Sequence, residues 1–188
     1  MNKTNYEEIR SMNKKELLEV IEEEKALYIP SNYLFQQFTH QKRYLIWKYL
    51  KYFRLAQYYK TIPSIIGKLA YRYYLRKKNI YGEKAGIEIT NSSKLGRRID
   101  IWHGNVIINA SLGDDCIIHG NNVLGNKGKN RENETPILGK GVDVGVGAIV
   151  IGDVKIADQC IIGSNAVVTR SCEIPNSILV GIPAIRKE

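Results

Sequence analysis

The sequence predicts a mainly β chain, a left-handed parallel β-helix that follows an α-helical N-terminal region. Two changes along the chain lead to this expectation. Apolar residues recur at helical spacing up to about residue 85, and at intervals of six residues from about residue 87 to residue 183. We therefore divide the chain into an α-helical region, residues 1–85, and a β-helix domain, residues 86–188, from which residues 126–136 protrude as a loop.

Three helices are predicted in the N-terminal region. Asn13 and Glu16 have the spacing of a capping box, and apolar residues at helical spacing follow them. A second helix, rich in aromatic residues, is expected from residue 33 to about residue 59. Pro63 is expected to open a third helix that Gly82 closes. The apolar stripe on the second helix is too wide for a surface helix, so we expect it to pack against other helices or another subunit.

Aliphatic side chains carry the repeat of six residues. They fall in three phases, at Ile89, Leu95, Ile101 and Ile107, then at Leu112, Ile118 and Leu124, and finally at Leu138, Val144, Val150, Ile156, Ile162, Val168 and Ile174. Small residues recur four positions later in many of these repeats. Each repeat is therefore expected to form one short strand and one turn. Three repeats would close a triangular coil, with the aliphatic residues inside and the small residues inward near the corners.

All three cysteines, Cys116, Cys160 and Cys172, fall at these small inward positions. A cysteine at such a position acts as a small apolar residue. An odd number of cysteines without close pairs also argues against a disulfide framework and fits a reducing compartment. We therefore assign these residues neither a metal nor a nucleophile role, and we expect no metal site.

The net charge of +9 is concentrated in one segment. Residues 41–84 contain twelve Lys and Arg and a single acid, Glu83, so this segment carries +11 and the rest of the chain −2. The chain has no apolar run of membrane-spanning length and no apolar core of a signal peptide, so we expect a cytoplasmic protein. The same segment is rich in tyrosine. We consider two interpretations of this segment. It could be a helical cap whose charges are merely solvated, or a surface that docks peripherally at the inner membrane.

Histidine is scarce in this chain, since only His40, His103 and His119 occur. Histidine is the side chain best suited to act as a base near neutral pH. His40 lies in the helical region without an identifiable partner. His103 and His119 fall in the β-helix at positions where side chains should project outward. The candidates for a general base in the β-helix are therefore His103, which is followed by Gly104 in the early coils, and His119.

The repeats resemble the hexapeptide acyltransferase superfamily. The matching segments are GIEITNSSKLG, IDIWHGNVIIN, IIHGNNVLGN, VDVGVGAIVIGDVKIADQCIIGSNAVVT and VGIPA, which together cover roughly residues 86–184. They are most similar to serine O-acetyltransferases and to related enzymes of bacterial polysaccharide biosynthesis. The resemblance implies an acetyl-CoA-dependent O-acetyltransferase. It also implies a homotrimer with active sites in clefts between neighbouring prisms, and we leave open a higher oligomer formed through the N-terminal helices.

The resemblance implies that His103 is the catalytic base and that Glu88 is its carboxylate partner. In the serine acetyltransferases an Asp at the position of Glu88 pairs with the catalytic histidine. Glu88 lies 15 residues before His103, close to one coil. A carboxylate there would fix the imidazole tautomer and stabilise the imidazolium. His103 would deprotonate the acceptor hydroxyl, and backbone N–H groups near Gly120 or Gly125 would stabilise the oxyanion.

The resemblance also implies where the donor binds. Acetyl-CoA would lie along the coils past Gly125, Asn126, Val146 and Ser164, mostly against backbone. Further candidates for contact with the phosphates of CoA are the loop cations Lys127, Lys129 and Arg131 and, near the C-terminus, Arg186 and Lys187. The alternative for the loop cations is that solvent alone surrounds them.

The acceptor site is where this sequence departs from the serine acetyltransferases. Those enzymes carry an Arg-His pair before a Pro, whereas this chain has Glu134-Thr135-Pro136. An acid and a hydroxyl cannot hold the carboxylate of an amino acid as a cationic pair does. We therefore predict a saccharide hydroxyl as the acceptor, in capsule or exopolysaccharide biosynthesis. The predicted acceptor-binding residues are Thr135, Trp102 and His119, of which His119 partly replaces the missing histidine.

Three alternatives stay open. The first is serine O-acetyltransferase itself, an enzyme of cysteine biosynthesis. The second is a metal enzyme of the carbonic anhydrase type on the same prism, which would need three converging histidines where the β-helix has two. The third is a non-catalytic module that binds a membrane surface or nucleic acid through the basic helices, although we do not expect nucleic acid to be a partner.

Overall fold

The computed structural model describes residues 13–30 and 33–187. The chain forms two compact units, the helical unit (Met1–Ile87) and the prism (Glu88–Glu188). The predicted fold class is confirmed, since the chain is mainly β and forms a parallel β-solenoid of about 5 turns, which four helices precede in the described residues.

The described part of the helical unit contains α1 (Lys14–Tyr28), α2 (Tyr33–Phe38), α3 (Lys42–Lys60) and α4 (Ile65–Ala85). The capping box predicted at the start of α1 is present. The Asn13 side chain accepts a hydrogen bond from the Glu16 amide, and the Glu16 carboxylate accepts one from the Asn13 amide. At the start of α4, the hydroxyl of Ser64 accepts from the amide of Gly67. Within the described residues, no helix combines the length and the apolar character that a membrane crossing requires.

Two predicted helix boundaries are wrong. The aromatic segment is not one helix, because the chain breaks between α2 and α3 near His40, whose φ of 50° is left-handed. Gly82 does not end α4 but lies inside it, where a Cβ would stand 2.9 Å from the ring of Tyr49. The helix ends instead at Gly86, which adopts the left-handed conformation at φ 67° that favours glycine at a helix C-terminus.

A buried ion pair joins α1 to α3. Arg54 Nη2 donates to Glu24 Oε1 at 2.6 Å, and the two side chains are only 2% and 0% exposed. Burial of two charges costs desolvation free energy, and the attraction between the carboxylate and the guanidinium offsets this cost. The buried pair therefore links one position of α1 to one position of α3.

The basic segment of the helical unit is partly buried. Tyr59 of α3 stacks on Tyr74 of α4 with ring centroids 5.3 Å apart. The ammonium of Lys78 is buried within 6.0 Å of aromatic ring centroids on α3. Arg72 and Arg76, by contrast, are exposed. The buried Lys78 therefore contributes to the packing of α4 on α3, and the exposed Arg72 and Arg76 contribute to a basic surface.

The prism has three faces built from short parallel strands. Face 1 contains β1 (Ile87–Ile89), β4 (Val106–Ile108), β7 (Val123–Gly125), β10 (Ile149–Ile151) and β13 (Val167–Val168). Face 2 contains β2 (Lys94–Leu95), β5 (Ser111–Leu112), β8 (Ile137–Leu138) and β11 (Lys155–Ile156). Face 3 contains β3 (Asp100–Ile101), β6 (Ile117–Ile118), β9 (Asp143–Val144), β12 (Ile161–Ile162), β14 (Ile178–Gly181) and the antiparallel β15 (Ala184–Lys187).

The repeating aliphatic residues fill the prism as predicted, except at two positions. Ile107 is 46% exposed, and its neighbour Ile108 is the fully buried residue of β4. Ile101 and Ile108, the buried residues of β3 and β4, are seven positions apart, one more than the six-residue repeat allows. Ile174 is also exposed, because it follows β13, where the regular coils end.

The cysteines behave mainly as small core residues. Cys116 and Cys160 are buried, whereas Cys172 is only half-buried at the last coil. Burial raises the pKa of Cys116 to about 12, so its thiol stays protonated at neutral pH. Since the thiolate is the reactive form, this cysteine is suited to packing and not to nucleophilic chemistry.

Candidate active site

The turns that lead from face 3 to face 1 stack into one edge of the prism. We call this edge the histidine corner, and it consists of residues 102–105, 119–122, 145–148 and 163–166. Backbone hydrogen bonds join each turn to the next, from Asn121 N to Gly104 O at 3.1 Å, from Gly147 N to Gly120 O at 3.0 Å, and from Asn165 N to Val146 O at 2.9 Å. The corner is therefore one continuous ladder over four coils.

Asparagine and glycine make this ladder regular. Asn105, Asn121 and Asn165 have φ between 55° and 59°, a left-handed conformation that asparagine tolerates better than most residues. The side chains of the first two are also joined, since Asn105 Nδ2 donates to Asn121 Oδ1 at 3.1 Å. The turns at these positions consequently adopt similar backbone conformations and stack along one line.

His103 lies on the histidine corner in the first coil, and its side chain is exposed. In the next coil Gly120 packs directly against it. A Cβ on Gly120 would lie 2.7 Å from the Cβ of His103, and the φ of Gly120 is 126°. Only glycine satisfies both conditions, because it has no Cβ and adopts positive φ without strain. Gly120 therefore leaves room beside the imidazole of His103.

Asn122 supports this corner from inside and was missed in the sequence. Its Oδ1 accepts from the amide of Gly120 at 2.7 Å, and its Nδ2 donates to the carbonyls of Gly145 and Ala148 at 2.8 and 3.1 Å. Its position corresponds to the small inward residues of other coils, so a polar residue there was the available signal. The Gly120 N–H is therefore engaged by Asn122, and the assignment of oxyanion donors to backbone N–H groups near Gly120 or Gly125 stays a prediction.

Glu88 lies on face 1 and not on the histidine corner. Its side chain projects outward from β1, between the buried residues Ile87 and Ile89. Among the described residues, no hydrogen bond or ion pair joins Glu88 to His103. A single prism therefore does not bring the predicted carboxylate into contact with the predicted base.

Four side chains form a second group where face 3 meets the histidine corner. We call Asp100, Trp102, His119 and Asp143 the face 3 cluster. The Trp102 ring packs on the His119 ring with centroids 4.2 Å apart, and Trp102 Nε1 donates to Asp100 Oδ2 at 2.9 Å. His119 Nε2 lies 2.8 Å from Asp143 Oδ1, a distance typical of an ion pair, although the alignment does not meet hydrogen-bond geometry.

The face 3 cluster brings together two of the predicted acceptor-binding residues, Trp102 and His119, and adds two carboxylates that the sequence analysis missed. Asp100 and Trp102 both point outward from one end of β3, so their proximity follows from the strand period. Asp143 is far from His119 in sequence and reaches it only because successive coils stack. Within the part of the chain that the structure describes, no group of His, Cys, Asp and Glu is arranged to hold a metal ion.

The predicted donor-binding residues occupy separate places on the prism. Val146 and Ser164 are exposed on the histidine corner, in the third and fourth coils. Gly125 ends β7 at the opposite edge of face 1, and the Lys127 side chain lies over the backbone of Gly152 there. Arg186 is exposed on β15, next to face 3. Only the first pair therefore shares an edge with His103.

The loop at residues 126–136 lies at that opposite edge, between β7 and β8. The side chain of Asn126 shapes the loop, since its Nδ2 donates to the Glu132 carbonyl at 3.1 Å. Thr135, Asn126 and Thr90 help to line a polar cavity of about 290 Å³. Neither His103 nor His119 lines this cavity, so the structure separates Thr135 from the other two predicted acceptor-binding residues.

No family model matches the chain. Curated relatives, however, are serine acetyltransferases. The enzyme of Staphylococcus aureus is 34% identical over 127 residues, which cover 61% of this chain and 59% of the relative. The enzyme of Synechococcus elongatus is 37% identical over 102 residues, which cover 52% of this chain and 41% of the relative. The chain thus spans less than two thirds of the length of these relatives.

Solved structures show the same fold. The serine acetyltransferase of Neisseria gonorrhoeae superposes with a TM-score of 0.70 at 24% identity, covering 93% of this chain and 68% of that chain. The Vibrio cholerae enzyme superposes with a TM-score of 0.71 at 20% identity, covering 96% and 68%. The predicted resemblance is confirmed: the chain has serine acetyltransferase homologues and β-solenoid structural neighbours, as expected for the hexapeptide-repeat acyltransferase superfamily close to the serine O-acetyltransferases.

These comparisons correct one prediction. The expectation of a saccharide acceptor in capsule or exopolysaccharide biosynthesis is wrong, because the relatives and the structural neighbours are serine acetyltransferases. That expectation rested on Glu134 and Thr135 standing where an Arg-His pair was anticipated. The absence of one cationic pair removes one way to hold a carboxylate, and it does not identify a different acceptor.

Proposed function

We propose that this chain is an acetyl-CoA-dependent serine O-acetyltransferase, which transfers the acetyl group to the hydroxyl of L-serine. One observation carries the proposal. The histidine corner joins the exposed imidazole of His103 by a continuous backbone ladder to the turns of Val146 and Ser164. The similarity to serine acetyltransferases over 61% of the chain supports both the donor and the acceptor.

In this proposal His103 is the general base. Its imidazole accepts the proton of the serine hydroxyl while the hydroxyl oxygen bonds to the thioester carbonyl carbon. The carbon–sulfur bond of the tetrahedral intermediate then breaks, and the imidazolium returns the proton to the sulfur. The products are O-acetylserine and CoA, so the protons and electron pairs balance. Proton transfer by a positioned histidine is worth about 10²–10⁴-fold in rate.

The donor lies along the histidine corner in this proposal. The outward side chains of Val146 and Ser164 and the backbone between them form its wall, which suits the long uncharged arm of acetyl-CoA that carries the thioester. Lys127 and Arg186 carry the positive charge for its phosphates. Both cations are exposed and stand on other parts of the prism, so they contact the donor at its ends or across a neighbouring copy.

A homotrimer would complete the site. Within one prism, the cavity lined by Thr135 and the outward carboxylate of Glu88 are both separated from the imidazole of His103. If neighbouring prisms pack side by side, face 1 and the loop of one copy can meet the histidine corner of the next. Sedimentation of the full chain should then show a trimer, and an active monomer would contradict this arrangement.

Acceptor-dependent release of CoA tests the proposal. The full chain is incubated with acetyl-CoA and either L-serine, a panel of sugars or no acceptor, and loss of the thioester absorbance is followed. We expect release that requires L-serine and saturates with it. Release that depends on a sugar and not on L-serine would overturn the proposal.

A further inference from the structure

One face of α4 carries a row of exposed apolar side chains. Ile65, Leu69 and Tyr73 are four residues apart, so they lie along the same face of the helix. They are 78%, 60% and 55% exposed, and Ile66 and Ile80 beside them are exposed as well. Single exposed apolar residues are common on proteins, whereas a contiguous group of them marks an interaction site. The described residues do not supply the partner that would cover this row.

The packing of α4 on α3 does not involve the apolar row. Tyr74 stacks on Tyr59 of α3 with ring centroids 5.3 Å apart, and the Tyr81 ring lies 5.4 Å from the ring of Tyr52. Because a helix turns by about 100° per residue, Tyr74 and Tyr81 lie on the side of α4 away from Leu69. The row is therefore directed away from the neighbouring helix and remains available to another molecule.

A basic row runs beside the apolar row. Lys68, Arg72 and Arg76 are also four residues apart, and all three side chains are exposed. In the described structure no ion pair joins them to an acid, and residues 42–82 contain neither Asp nor Glu. The exposed face of α4 therefore combines apolar side chains with positive charge that no nearby acid neutralises.

Tyr73 adds an amphipathic side chain to this face. Lys77 Nζ lies 5.7 Å from the centre of the Tyr73 ring, so a further cation stands next to the apolar row. A tyrosine has an apolar ring and a polar hydroxyl, and it is enriched where the acyl chains of a membrane meet the headgroups. A lysine beside it can rest its apolar stem on the same region and extend its ammonium toward the headgroups.

Three partners differ in what they offer to this face. Nucleic acid offers negative charge but no apolar surface for Ile65 and Leu69. A second copy related by a two-fold axis offers an apolar row, but it also brings its own basic row toward Arg72 and Arg76 without an acid to pair with them. A membrane that contains anionic lipids offers acyl chains and negatively charged headgroups together. The residues of α4 therefore favour a lipid surface.

We infer that the exposed face of α4 docks the chain on a membrane surface that contains anionic lipids. Ile65, Ile66 and Leu69 enter the boundary between headgroups and acyl chains, and the basic row contacts the headgroups. The helix lies along the surface, in agreement with the finding that no described helix is suited to cross a membrane. The inference goes beyond the proposed acetyl transfer and does not depend on it.

Cosedimentation of the full chain with vesicles tests the inference. Wild type should bind vesicles of phosphatidylglycerol and phosphatidylcholine and stay in the supernatant with phosphatidylcholine alone. Leu69→Ser should lower the partitioning into anionic vesicles about ten-fold, because one leucine side chain no longer leaves water. Ile185→Ser is the matched control and should bind as wild type does, since Ile185 is 68% exposed on β15 of the prism. Both variants should keep the unfolding midpoint of wild type.

Tryptophan fluorescence tests whether this face of α4 enters the lipid. With anionic vesicles, Leu69→Trp should gain emission at shorter wavelength, and lipids brominated in their acyl chains should quench it. Ile185→Trp is the matched control, and its emission should change no more than the wild-type signal of Trp47 and Trp102.

Three results would overturn the inference. Wild type that binds neither kind of vesicle, or both equally, would show no preference for anionic lipid. Equal partitioning of Leu69→Ser and wild type, or an absence of quenching in Leu69→Trp, would show that the apolar row does not enter the lipid. A smaller assembly of Leu69→Ser than of wild type in lipid-free sedimentation velocity would assign the row to a contact between copies of the chain.

Discussion

The two units of the chain use charged side chains in opposite ways. In the helical unit Glu24 and Arg54 are buried together, where they fix the packing of α1 on α3. In the prism the interior is almost wholly apolar, and the ionisable side chains of the candidate site stand outside it. A substitution that removes a charge should therefore have different consequences in the two units. Loss of a charge from the buried pair of the helical unit should affect folding, whereas loss of an ionisable group of the candidate site on the prism should affect turnover.

The largest effect is expected at His103. His103→Ala should lower kcat for L-serine by about 10²–10⁴-fold, because the imidazole acts in the transition state. The thermal unfolding midpoint and the affinity for acetyl-CoA should stay near wild type, since the side chain is exposed. His40→Asn is the control. It replaces the histidine of the helical unit by a residue that tolerates the left-handed backbone conformation of this position. Near-normal turnover of His103→Ala would remove this residue from the mechanism.

The buried ion pair should show the opposite behaviour. Glu24→Gln leaves the Arg54 charge buried without its partner, so urea unfolding of the full chain should show a loss of about 3–5 kcal/mol in the transition of the helical unit. Glu22→Gln is the matched control, because Glu22 forms an exposed ion pair with Lys25 and should change stability by less than about 1 kcal/mol. Similar unfolding curves for the two variants would contradict the distinction between the units.

The fold could be predicted because a repeat of six residues allows few architectures, and the position of His103 on an outward turn followed from the same repeat. The register was harder to predict. One additional residue between Ile101 and the buried residue of β4 places Ile107 outward and Ile108 inward, and aliphatic neighbours conceal such a shift in the sequence. Gly82 and Gly86 are likewise both suited to end α4, and only the packing of Tyr49 shows which of them does.

The candidate site could be predicted less completely, since it depends on which coils stack. His119 and Asp143 meet because the loop at residues 126–136 leaves the prism without adding to the coil. No sequence spacing reveals that contact. The hydrogen bonds of the buried Asn122 side chain could in principle be predicted, because Asn122 is a polar residue at a position where other coils have alanine.

The smallest effect is expected on the basic surface of the helical unit, and docking at an anionic membrane stays a prediction. Arg72 and Arg76 are exposed, whereas Lys78 is buried, so charge reversal should be made at the two arginines alone. Each basic residue near an anionic surface contributes about 1 kcal/mol. Cosedimentation with anionic vesicles should therefore fall in the Arg72→Glu, Arg76→Glu variant and at high salt. Reversal of Lys94 and Lys155 on the prism is the control, and equal recovery with anionic and neutral vesicles would exclude docking.

The central claim is that the chain moves an acetyl group from acetyl-CoA to the hydroxyl of L-serine. The most direct measurement incubates the full chain with L-serine and acetyl-CoA labelled with carbon-13 at the acetyl carbonyl, stops the reaction in acid, and identifies the labelled product by NMR. We expect labelled O-acetylserine, formed with one CoA per product in wild type and nearly absent in His103→Ala. Labelled free acetate as the only product, or the same yield of O-acetylserine from His103→Ala, would exclude the proposed reaction.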